Sequence, residues 1–119
     1  MNTPMICTLA QDVIVPANDE ITSGFSYAPV YNRPTGIVGL EVSIEWLGQN
    51  PTPGDITISL ALALSLDGYA EPLTDVVISP PTTKKIIALD TRHANYLIVK
   101  KIANASTTNN AKVSIRSTL

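Results

Sequence analysis

From Ile56 to Leu66 every even-numbered residue is a large aliphatic one and every odd-numbered residue is small or polar. Only an extended strand puts such a period-two set on one face. Wound as a helix, the same leucines would be spread around the circumference and leave no stripe to bury. The stretch therefore reads as a long strand with Ile56, Ile58, Leu60, Leu62, Leu64 and Leu66 against a core. At roughly 1.5–3 kcal/mol per fully buried side chain it is the largest block of hydrophobic stabilisation in the chain.

A second alternating run, Val38 to Trp46, sets its apolar residues on even positions and turns Glu41, Ser43 and Glu45 away. The segment between the two, Gly48-Gln49-Asn50-Pro51-Thr52-Pro53-Gly54, is rich in turn formers, so the runs are expected to pair as a hairpin with a protruding loop. Shorter apolar runs are expected to be strands at Val13–Val15, Glu20–Tyr27 with an irregularity at Gly24, Val76–Ile78 and Lys85–Leu89. Tyr96–Ala103 and Ala111–Ser117 read as a closing hairpin with a flexible polar tip. Ala28 to Gly36 holds two prolines and a glycine, which exclude helix and central strand alike. No segment carries a sustained helical period. The expected fold is all-β, an antiparallel β-sandwich of about eight strands, jelly-roll-like. Residues 1–12 read as an N-terminal arm or edge strand and 13–119 as a single sandwich domain, in keeping with a chain of 119 residues.

Charged residues make up only 15% of the chain against 45% hydrophobic ones, which suggests a surface partly covered by a partner. Their distribution is uneven. Residues 41–80 carry Glu41, Glu45, Asp55, Asp67, Glu71 and Asp75 and no base, whereas from residue 81 onward Lys84, Lys85, Arg92, Lys100, Lys101, Lys112 and Arg116 face a lone Asp90. Either acidic and basic strands neutralise each other side by side, or the polarity docks onto a complementary partner. The first residues lack the pattern of a signal peptide, and no stretch approaches the ~20 apolar residues that cross a bilayer as a helix. Synthesis in a reducing cytoplasm is expected, and no membrane partner.

Residues that could carry chemistry are few. His93, the single histidine, sits in a polar turn without metal-ligand or triad partners at any recognisable spacing. Cys7, the single cysteine, cannot close an internal disulfide and has no base beside it to make it a nucleophile. Glu41 and Glu45 read as outward charges, Asp67-Gly68 as a turn rather than a calcium loop, and Asn104-Ala105-Ser106 as an idle sequon. Phosphate-cradling glycine patterns are absent. The lysines lack interleaved aromatics for stacking on nucleic acid. An enzyme, a cofactor, a metal and a nucleic-acid partner are all unexpected.

Ser65-Leu66-Asp67-Gly68-Tyr69 at the end of an alternating strand is followed downstream by Tyr96-Leu97-Ile98-Val99-Lys100-Lys101-Ile102 and a polar tip before the last strand. Over roughly residues 38–119 this resembles small β-sandwich virion proteins of tailed bacteriophages. The resemblance implies a non-enzymatic capsid decoration or cement protein, located on the virion surface after synthesis in the host cytoplasm. It would bind the major capsid protein and self-associate, most often as a trimer. Residues 1–37 have no counterpart in it. A carbohydrate-binding sandwich module is the alternative, disfavoured by the small number of aromatics available to stack on sugar rings. The segment Tyr27, Tyr31, Asn32, Arg33 and Pro34 is the candidate partner interface, because Tyr and Arg are enriched at hot spots and flanking prolines lower the entropy lost on docking.

Overall fold

The computed structural model describes residues 6–31, 36–91 and 93–118. Ten strands and no helix occur among them: β1 (Ile6–Val15), β2 (Asp19–Ile21), β3 (Tyr27–Pro29), β4 (Ile37–Trp46), β5 (Ile56–Ala63), β6 (Ala70–Pro72), β7 (Val76–Ile78), β8 (Lys84–Asp90), β9 (Tyr96–Asn104) and β10 (Ala111–Thr118). They form two antiparallel sheets. One has the order β1-β10-β4-β8; the other has the order β2-β9-β5-β6, with β3 also on β9 and β7 also on β5. Counting β2 with β3 and β6 with β7 as interrupted strands leaves eight positions, four facing four, in the order of a jelly roll. The all-β sandwich expected from the alternating runs is therefore the fold.

The interruption of β2–β3 falls at Gly24, whose φ of 87° is open to glycine and strained for other residues. β1 is a ten-residue edge strand that runs through residues 12 and 13 without a break, although its register slips between Thr8 and Ala10 and again between Ala10 and Val13. At the second slip Asp12 takes a φ of 48°, and its N–H donates to Ser114 Oγ while Ser114 Oγ–H donates back to Asp12 Oδ1. The first slip turns both Leu9 and Ala10 inward, where they are buried.

The two long alternating strands do not pair. β4 lies between β10 and β8 in one sheet, while β5 pairs with β9, β6 and β7 in the other. β9 and β10 are likewise in different sheets, so both expected hairpins are corrected to sheet-crossing connections. The reason is that each long strand has one apolar face. Placing β4 and β5 on opposite sheets lets Val38, Leu40, Val42 and Ile44 bury against Ile56, Ile58 and Leu60 across the sandwich, and residues 47–55 are long enough to bridge the ~10 Å between sheets.

Alternation in β4 persists to its end, with Trp46 half-buried against the core. In β5 it does not. Ile56, Ile58 and Leu60 are buried as expected, Leu62 is only half-buried, and Leu64 and Leu66 are exposed. Strand pairing stops at Ala63, where Asn95 N–H donates to Ala63 O and the Asn95 side chain donates to Leu64 O. Beyond that clamp the chain turns away from the core, with Gly68 N–H bonded to Ser65 O.

Candidate functional site

The two ends of the sandwich differ in kind. At one end the connections 16–18, 47–55 and 105–110 are sewn together by polar side chains. Buried Asn104 donates from Nδ2 to Val15 O and Asn109 O and accepts from Ser106 N–H at Oδ1. Ser106 Oγ donates to Thr52 O, and Asn109 bridges Thr52 N–H and Leu47 O. The Asn/Thr-rich segment expected to be a flexible tip is thus held by the two neighbouring strand connections. Gly54 packs so closely there that a Cβ would lie 2.5 Å from Ser106 N.

Among the described residues the other end is richer in exposed apolar side chains. Its described parts are residues 30–31, 64–69, 91 and 93–95, which follow β3, β5 and β8, and the adjoining part of the second sheet's outer face. Leu64, Leu66, Tyr69 and Tyr31 are exposed there. A depression of about 430 Å³ is lined by Leu62, Leu64, Tyr69, Glu71, His93 and Ala94 among others. Large apolar side chains exposed around a depression are a common feature of surfaces that bind a partner.

Beside this end lies a cluster of tyrosines. In the β3–β9–β5 register Ala28 faces Leu97 and Leu62 on the core side, so Tyr27 with Ile98 and Pro29 with Tyr96 fall on the outer side. The Tyr27 and Tyr96 rings meet edge to face at 5.4 Å between centroids and 90° between planes; Tyr31 meets Tyr96 at 6.1 Å and 79°. Pairs of this geometry add about 0.5–1.5 kcal/mol beyond area burial. Because the planes are crossed, the rings brace one another and present edges as well as faces to an incoming surface.

Of the five residues expected at a partner interface, Tyr27 and Tyr31 are brought together around Tyr96. Asn32, Arg33 and Pro34 lie outside the described residues. Tyr96, Leu64 and Tyr69 were not foreseen. The signal for Tyr96 is in the sequence: Tyr96-Leu97-Ile98-Val99 is apolar on both faces of its strand, which marks a strand whose outer face is also meant to be covered. No family model matches this chain, and no curated protein resembles it in sequence.

Among the described residues the titratable groups sort as follows. His93 is exposed in its turn. Cys7 Sγ–H donates to Tyr27 O at 3.5 Å, and burial pushes the thiol's pKa up, keeping it protonated and a poor nucleophile. No group of three or more possible metal ligands occurs among the described residues. The charges sort across strands: Arg116 pairs with Glu41, Lys112 Nζ lies 3.8 Å from Glu45, and Lys101 Nζ lies 3.5 Å from Glu20. These three bases are therefore matched by acids on neighbouring strands. In β9 the register skips Lys100 between Val99 and Lys101, so the adjacent lysines do not alternate between faces as they would in a regular strand.

Proposed function

We propose that this chain is a non-enzymatic structural protein of a tailed-phage virion, a capsid decoration or cement protein that docks on the major capsid protein through the apolar end of its jelly roll. The observation that carries the reading is the asymmetry of the two ends: one closed by polar side chains, the other exposing Tyr31, Leu64, Leu66 and Tyr69 beside the Tyr27–Tyr96–Tyr31 cluster. Exposed aromatics braced by their neighbours lose little entropy on docking, which favours their use as anchors. The jelly roll adds a fold-level analogy, since capsid proteins often use it, and a capsid partner is what the likeness of residues 38–119 to small virion sandwiches implies.

A carbohydrate-binding module is the second reading, because jelly rolls also serve lectins and Tyr69 stands exposed beside Glu71 and His93 in the depression. The crossed planes of the other three tyrosines give no shared flat platform for a sugar ring, which favours the protein-docking reading. Mass analysis of purified particles together with a glycan-binding screen of the purified chain separates the two. Stoichiometric presence in particles without glycan binding supports a capsid protein; the reverse supports the module.

A further inference from the structure

The pleat assigns every strand residue to one face of its sheet, and residues directly opposed on neighbouring strands share that face. Ala28 on β3, Leu97 on β9, Leu62 on β5 and Glu71 on β6 form one such row across the second sheet. Ala28 and Leu97 are fully buried in the core and Leu62 is half-buried, so Glu71 is a carboxylate at the end of a core-facing row. The pleat alone calls for an apolar side chain there. Nor is this acid used inside the molecule. Glu41, Glu45 and Glu20 are matched by Arg116, Lys112 and Lys101, whereas among the described residues neither Glu71 nor Asp67, four positions before it, meets a base.

Glu71 lines the depression of about 430 Å³ at the apolar end, together with Leu62, Leu64 and Ala94. Tyr69, 77% exposed, and His93 line it too. With His93 counted as neutral at pH 7, Glu71 is the one charged group among the described lining residues. A carboxylate set among apolar and aromatic side chains is complementary to a group with an apolar stem and a cationic head. A purely apolar occupant would strip water from the carboxylate and leave it unpaired, and an anionic one would be repelled.

We propose that this depression seats an arginine side chain of the docking partner. The methylenes of that arginine lie along Leu62, Leu64 and Ala94, its guanidinium donates to the Glu71 carboxylate, and the Tyr69 ring is its cation–π neighbour. Arginine suits the seat better than lysine. Its planar fork pairs with both carboxylate oxygens, and its weaker hydration makes the head less costly to bring against an apolar wall. That the arginine belongs to a capsid protein rests on the docking reading; that the depression takes a guanidinium does not. Arg33 and Arg92 of this chain lie outside the described residues, and a mutant cycle separates them from a partner's arginine.

Amide NMR of the full chain, titrated with two end-blocked peptides, tests it. One peptide holds an arginine between two leucines; its twin holds citrulline there, which keeps the shape and removes the charge. The expected result is saturable shifts at Leu64, Tyr69 and Glu71 with the arginine peptide, and binding weaker by about fivefold or more with the twin or with the Glu71→Gln protein. Glu71→Gln, a change at an exposed position, leaves the thermal midpoint in place and weakens binding to capsid shells by about the same factor. Equal binding of the two peptides, or shifts only elsewhere, overturns the seat. Coupling of Glu71→Gln with Arg33→Gln or Arg92→Gln in the stability of the free chain also overturns it, by giving the carboxylate to a base of this chain. Shells that bind wild type and Glu71→Gln equally overturn the capsid arginine and leave the docking reading standing. Shells that do not bind wild type overturn the docking reading and with it the capsid arginine, while the peptides still decide the guanidinium seat.

Discussion

Arg116 on β10 donates from both Nε and Nη2 to a single oxygen, Oε1, of Glu41, its direct cross-strand neighbour on β4. Together with Lys112–Glu45, four residues and two pleat repeats away, it joins the basic C-terminal strand to the acidic middle of the chain within one sheet. The charge segregation of the sequence is thereby resolved in part inside the molecule, and these acids are not left as a patch for a partner. Both Arg116 and Glu41 are well exposed, so the pair has the modest worth of a surface contact, about 0.2–1 kcal/mol. A double-mutant cycle with Arg116→Gln and Glu41→Gln, read from denaturant midpoints, should return a coupling in that range that shrinks as salt is raised.

The truncated alternation of β5 gives a sharper prediction. Leu60 is 1% exposed and Leu64 67% exposed, although both are even-numbered members of the same run. Leu60→Ala should cost about 2–5 kcal/mol as a large-to-small core change, and Leu64→Ala should stay within about 0.5 kcal/mol of wild type. Equal losses in a denaturant titration would mean that the strand continues past Ala63.

At the closed end, Asn104→Ala removes two donated bonds and one accepted bond from a buried side chain. Leaving buried partners unsatisfied costs about 1–3 kcal/mol per group, so the thermal midpoint should fall clearly. Gly54→Ala should be comparably harmful, because its Cβ would meet backbone that cannot give way. Hydrogen exchange should show residues 105–110 losing protection in both variants.

Asp12 predicts a pH effect. The side-chain hydrogen bond from Gln11, and next that from Ser114, hold its pKa below the ordinary 3.8. A depressed carboxylate contributes stability above its unfolded pKa and loses it as pH falls through the lower folded value. Asp12→Asn, which tolerates the positive φ, should therefore be less stable than wild type at neutral pH, and the gap should close as acid is added below about pH 4. A gap that persists unchanged at low pH would show that the carboxylate's charge is not the source.

The sandwich was legible because alternation is a local property: Val38 to Trp46 and Ile56 to Leu60 carry their burial in their own spacing. The pairing was not. Turn formers at 48–54 and 104–110 suit a hairpin tip and a sheet-crossing loop equally, and the choice is made by which apolar faces oppose across the core, a contact between residues far apart in sequence. The end of β5 was hidden for the same reason, since Asn95, thirty-two positions beyond Ala63, sets it. Tyr27 and Tyr31 were visible as interface residue types, but their meeting at Tyr96 depends on the β3–β9 register.

The most direct measurement is co-sedimentation of the purified chain with capsid shells assembled without it, comparing wild type with a Tyr31→Ala/Tyr69→Ala variant whose unfolding midpoint is unchanged. Docking through the apolar end predicts saturable binding of wild type and a loss of about tenfold or more in the variant, as truncation of anchoring aromatics gives. Failure of the wild-type chain to bind shells, or equal binding by the variant, would contradict it.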